Sequence, residues 1–110
     1  MTTYNIQTMA GDSIVIEDTV VDQDGDAVDL TGAAISYVIK STAKAATDEL
    51  LLTTTDGSIT VAANVFTVTS EPSDTDLLEG AYYQECEIIL ADGRVFTSFT
   101  GNIYFSPSGV

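Results

Sequence analysis

The stretch GAYYQECEIILADGRVFTSFTGNIYF, Gly80 to Phe105, decides the fold class. Two alternating segments flank Asp92-Gly93, a dipeptide suited to a tight hairpin turn because glycine accepts a positive φ. A two-residue loop there pairs Leu90 with Val95, Ile88 with Thr97, Cys86 with Phe99, Gln84 with Gly101 and Tyr82 with Ile103. That face is mostly apolar on both strands. The other face carries Glu87 opposite Ser98, Glu85 opposite Thr100 and Tyr83 opposite Asn102. A slip of one residue moves a strand's core set to the wrong side, so the register predicts Cys86, Phe99 and Ile103 in a dry interior.

Working outward, the rest of the chain reads as short strands between turn signals. Thr3 to Met9 is a first strand with Tyr4, Ile6 and Thr8 on one side. Residues 1–9 read as an N-terminal arm that is exchanged with a neighbouring subunit or binds a partner. Ser13 to Val21 is β-branched and extended; Ile14, Ile16 and Val20 share a face on which Asp18 is a polar exception. Asp24-Gly25 predicts a tight turn, with a brief extended continuation over Val28 to Thr31. Ala34 to Lys40 alternates, with Ile35, Tyr37 and Ile39 on one face. Ser41 to Glu49 predicts a loop holding one helical turn. Leu50–Thr55 and Ser58–Val61 flank Asp56-Gly57 and predict a second hairpin. A turn over 62–64, a strand over Val65–Thr69 and a stop at Pro72 follow. Ser73 with Asp76 predicts a helix N-cap, and Leu77 and Leu78 a turn tucked under the sheet. SPSGV is a polar tail. Short strands, three Asp-Gly turns and no long helix predict a single domain, residues 1–110: an all-β, two-layer antiparallel β-sandwich with one short helical turn near 73–78.

Composition limits the function. The chain has 110 residues, of which 45% are hydrophobic, enough for one core without staples. Seventeen Asp and Glu face three basic residues, Lys40, Lys44 and Arg94, for a formal net charge of -14. That excess opposes nucleic acid and anionic membranes as partners and favours cationic ones. The first residues, MTTYNIQTMAGD, lack the basic and apolar regions of a secretory signal. No apolar run is long enough to span a bilayer, so a soluble domain is expected.

Candidate chemistry is sparse. The chain has no histidine, which removes the commonest general base and metal ligand. Cys86, the single cysteine, lies on the inward face and reads as an inert thiol. Glu85 and Glu87 share a face as paired carboxylates do in glycosidases, but alternation alone puts acids on a solvated face. Asp22, Asp24, Asp26 and Asp29, with Asp18 nearby, offer hard oxygen ligands suited to calcium. An EF-hand is excluded, because Ala27 stands where its glycine belongs and Ala33 where its glutamate belongs. The competing reading is that acids are frequent in turns because they bond their own backbone. No other cofactor is indicated. Ile89 opposite Phe96, with Tyr83 and Tyr104, places large side chains on the hairpin's outer face. They mark an interface, or a surface covered by the chain's own N-terminal strand.

The order of these motifs resembles the small immunoglobulin-like domains of tailed bacteriophages, including the N-terminal domains of siphophage baseplate upper proteins. The resemblance runs through Ala10-Gly11-Asp12, Asp24-Gly25, Asp29-Leu30-Thr31-Gly32, the Ile35-Tyr37-Ile39 strand, the Leu77, Gly80, Tyr82 element and the Asp92-Gly93 hairpin, ending near Pro107. It covers nearly the whole chain. Gly80 and Tyr82 also resemble the tyrosine corner of immunoglobulin domains, although Gln84 stands where the disulfide cysteine would be. The resemblance implies an immunoglobulin-like, non-enzymatic virion structural protein, a capsid decoration or a tail, neck or baseplate accessory. Its partners are other virion proteins or further copies of itself, and it passes through the host cytoplasm before assembly. A baseplate upper protein continues into a fibre-like region where this sequence stops at Val110, so a free-standing decoration or adaptor is the expectation. The charge suggests, as alternatives, a DNA mimic that inhibits a DNA-handling enzyme; the Asp cluster suggests a calcium-dependent adhesive or sugar-binding sandwich.

Overall fold

The computed structural model describes residues 2–107; Met1 and the end of the polar tail, 108–110, lie outside the described residues. Nine strands and one helical turn follow in order: β1 Thr2–Thr3, β2 Ile6–Met9, β3 Val15–Thr19, β4 Ala34–Lys40, β5 Leu50–Thr53, β6 Ile59–Ala62, β7 Val65–Thr69, α1 Pro72–Thr75, β8 Gly80–Ile89 and β9 Val95–Ser106. One sheet has the order β1-β9-β8-β4-β5, with β2 also on β9; the other is β3-β7-β6. Their inner faces meet in one core, to which β4 gives Ile35, Tyr37 and Ile39, β8 Cys86 and Ile88, β9 Phe99, Ile103 and Phe105, β7 Phe66 and Val68, β3 Ile16 and β6 Ile59. The chain is an all-β sandwich. β8 and β9 are its backbone: twelve residues of strand reach roughly 40 Å, close to the 44 Å long axis.

The sheets are not wholly antiparallel. β1 and β2 run parallel to β9, with Thr2 opposite Phe99 and Ile6 opposite Ile103. Between them the Tyr4 N–H donates to the Thr100 carbonyl (2.9 Å). Tyr4 lays its ring on Phe99, centroids 4.9 Å apart. The N-terminal arm thus pairs within its own chain. Room for it comes from Gly101, where a Cβ would run into the Tyr4 carbonyl group. Opposite Gly101 stands Gln84, fully buried. Its Nε2 donates to the Tyr4 carbonyl (3.1 Å) and its Oε1 accepts from Tyr37 Oη (2.6 Å). Burial raises the Tyr37 phenol well above its ordinary range, so it stays a donor.

The central hairpin keeps the expected register from Tyr82–Ile103 to Cys86–Phe99 and departs from it beyond. Glu87 faces Thr97, not Ser98; Ile88 faces Phe96 and Ile89 faces Val95. The loop has three residues, not two. The Gly93 N–H donates to the Leu90 carbonyl and the Leu90 N–H to the Arg94 carbonyl, both at 2.8 Å, with Gly93 at φ +93°. This is a type I turn closed by a left-handed glycine, which Asp-Gly serves as well as the two-residue form. The residue gained in the loop is returned by a β-bulge at Ser98. Phe96 therefore turns toward the core, while Val95 is exposed. Phe96 and Phe99 are three apart, so strict alternation buries only one; the bulge lets both face inward.

Other expectations change as well. Asp56-Gly57 joins no hairpin, since β5 pairs with β4 in one sheet and β6 with β7 in the other. Asp56 Oδ1 accepts the Ser58 N–H (2.7 Å) and Oδ2 the Thr53 N–H (3.3 Å), which steers the chain between layers. The 41–49 loop holds a single turn, Ala45 N–H to the Thr42 carbonyl, and no helix; 28–31 is irregular. The helical turn is capped two residues earlier than expected, at Glu71 with Asp74, because Pro72 suits the first helical position rather than a stop. Leu78 is buried beneath it, but Leu77 is exposed.

Gly101→Ala should lower stability by roughly 1–3 kcal/mol and release the arm, seen as loss of amide hydrogen-exchange protection at Ile6 and Thr8; retained protection would remove Gly101 from this role. Gln84→Leu should cost roughly 1–3 kcal/mol by stranding the Tyr37 hydroxyl and the Tyr4 carbonyl. Adding Tyr37→Phe should recover part of that loss in denaturant melts. A Gln84→Leu protein as stable as the parent would show that the network contributes nothing.

Candidate functional site

Several of the acids are turn builders. Four aspartates accept, through Oδ1, the N–H two residues on: Asp22 from Asp24 (2.9 Å), Asp29 from Thr31 (3.0 Å), Asp56 from Ser58 (2.7 Å) and Asp92 from Arg94 (3.0 Å). At Asp29, Asp56 and Asp92 these bonds favour the charged form. Hydrogen bonds from Thr31 hold the Asp29 carboxyl below its usual range, those from Ser58 do so for Asp56, and the Arg94 N–H leads the effect on Asp92.

Of the calcium candidates, Asp22, Asp24 and Asp26 come together, their carboxylates within 4.8 Å of one another and all exposed. The turn is the same three-residue type: Gly25 N–H donates to the Asp22 carbonyl (2.9 Å) and Asp22 N–H to the Asp26 carbonyl (2.8 Å). Asp22 Oδ1 accepts the Asp26 N–H as well (3.0 Å). Asp29 lies outside the cluster, its Oδ1 also taken by the Thr31 hydroxyl (2.7 Å). Asp18 points between the sheets instead. Tyr4 Oη donates to its Oδ1 (3.3 Å) and Ser98 Oγ to its Oδ2 (2.7 Å). The bulge thus aims Ser98 at the far layer, and Asp18 bridges the arm, β3 and β9.

The four outer-face candidates do not converge. Tyr83 and Tyr104 share the outward face at one end of β8–β9, Tyr83 half-buried with its hydroxyl on Glu85 Oε1 (3.2 Å) and Tyr104 exposed. Ile89 is exposed at the other end, roughly 20 Å away. Phe96 is on the inner side. Val95, opposite Ile89, is exposed as well, and Val21 is 53% exposed. Val21 and Val95 line an open cavity of about 400 Å³ with Asp22, Val28, Leu90, Arg94 and Phe96. Sequence reading missed this site because it needs the corrected register. The signal available was the three-residue spacing of Phe96 and Phe99.

Catalytic groups are poorly placed. The Cys86 thiol is fully buried and pushed up to about 12, chiefly by burial and then by the Asp18 and Glu85 charges, so it is protonated at neutral pH. Glu85 and Glu87 both project outward, beside the Lys40–Asp48 pair (3.8 Å). The chain matches no protein-family model and no curated protein.

Melting temperatures with excess calcium and with chelator should coincide, because a cation that prefers the folded state must raise the melting point and Asp22 is already engaged by backbone amides. A calcium-dependent rise that Asp24→Asn abolishes would instead establish a metal site in this turn.

Proposed function

We propose that this chain is a non-enzymatic, immunoglobulin-like structural domain of a tailed-bacteriophage particle, a capsid decoration or a tail, neck or baseplate accessory. It attaches through protein–protein contacts. The observation that carries the reading is the strand order. β3-β7-β6 follows the B-E-D order of an immunoglobulin domain, and β9-β8-β4-β5 follows the G-F-C sheet with one further strand at its edge. Two local features support it. Tyr82 Oη accepts the Glu79 N–H (3.3 Å), a bond of the tyrosine-corner kind at the start of the penultimate strand. Gln84 and Tyr37 occupy the core where immunoglobulin domains set a cysteine and a tryptophan, and they hydrogen-bond to each other instead. The motif order noted in the sequence supplies the link to phage particles. A net charge of -14 suits a surface part that must not adhere to packaged nucleic acid.

Particles purified from the phage or prophage that carries the gene should contain this polypeptide in a fixed ratio to a capsid or tail protein, measured by mass spectrometry. Particles that lack it overturn the proposal.

A further inference from the structure

We infer that the apolar cavity between the 20–28 loop and the β8–β9 hairpin is a docking groove for a basic partner segment, one that carries a large aliphatic side chain flanked by lysine or arginine. This deepens the contact-module reading above and rests on it.

The groove is apolar where a side chain would enter. Val21, Val28, Leu90, Val95 and Phe96 line it, and its volume of about 400 Å³ falls in the range, roughly 300–1,000 Å³, of pockets that hold ligands. Val21 and Val95, both in the lining, are 53% and 58% exposed, so their apolar surface is open to a partner. A second, smaller depression shares Val21 and Phe96 and continues along the seam between β3 and β9 past Asp18. An extended segment therefore has a track, not a single hole.

Charge selects the partner. Asp22 lines the groove, and the carboxylates of Asp24 and Asp26 lie within 4.8 Å of its own. Arg94 is the one basic residue in the lining, and its Nε already donates to Asp92 Oδ2 (2.9 Å). Among the described residues the ion pairs are Lys40–Asp48 and Arg94–Asp92, so the three-carboxylate rim has no cation of its own. Carboxylates this close raise one another's energy, and a cationic side chain arriving at the rim relieves that repulsion. Apolar floor and anionic rim together ask for an aliphatic anchor between basic residues, and acidic or neutral partners are disfavoured.

The test uses the full chain and a capped peptide of two leucines between pairs of lysines. Amide chemical shifts should move at Val21, Val28, Val95 and Phe96. Paired Val21→Ser and Val95→Ser changes, both at exposed positions, should weaken binding by about tenfold. Paired Asp24→Asn and Asp26→Asn changes should weaken it by about threefold, an effect that disappears at high salt. A peptide with glutamates for lysines should not bind. Equal shifts from a peptide with glycines for leucines would reduce the effect to diffuse electrostatics and overturn the proposal, as would shifts that are absent or map elsewhere. Particle incorporation separates the two readings. If the double serine variant joins particles as well as the parent, the groove is not the attachment site and the virion role stands. If the parent itself is missing from particles, the virion role falls and the peptide result alone decides the groove.

Discussion

A primary amide with no solvent exposure must find partners inside the protein, and at Gln84 this requirement organises one side of the sandwich. The amide reaches Tyr37 on β4 in one direction and the Tyr4 carbonyl in the other. To bring the Tyr4 main chain that close, the facing position on β9 must have no side chain, and Gly101 provides that. The N-terminal segment then lies parallel to β9, and its tyrosine covers Phe99. The same tyrosine reaches Asp18 in the opposite layer, where burial and the Asp18 charge raise its phenol. One satisfied amide thereby joins β4, β8, the arm and, through Tyr4, β3. Buried polar networks of this kind favour one arrangement over others because a half-satisfied alternative is costly.

The hairpin loop and the Ser98 bulge act as a pair. The three-residue loop advances β9 by one position, and the bulge takes it back, so the two ends of the hairpin obey different registers. Two Phe side chains separated by three residues can both face inward only in this way. The bulge also frees Ser98 to bond Asp18 across the layers. A further product is the exposed Val95, which lines the groove at that end. Bulges beside functional surfaces commonly re-aim side chains in this manner.

The large negative charge has two roles in the structure. Asp22, Asp29, Asp56 and Asp92 bond backbone amides two residues on and shape turns, so the fold satisfies them without cations. Asp24 and Asp26 do not form such bonds to the next turn, and with Asp22 they leave an anionic rim beside apolar surface. The same turn that links β3 toward β4 therefore stabilises the chain locally and gives one end of the molecule its character.

Alternation in the sequence determined the fold class, the inward set of β4 and β8, the span of β7, and the lower register of the long hairpin, because a period of two needs no tertiary context. Asp18 was visible as an oddity on an apolar face, but its purpose was not, since Tyr4 and Ser98 lie 14 and 80 residues away. Asp-Gly marked turns correctly without saying whether a turn closes a hairpin or carries the chain between layers. Asp24-Gly25 and Asp92-Gly93 do the first, Asp56-Gly57 the second, and only the pairing of β5 with β4 and β6 with β7 separates them. The parallel seat of the arm and the apolar groove were likewise decided by tertiary structure, because both depend on contacts between segments far apart in the chain: Tyr4 with Gly101, and Val21 with Val95.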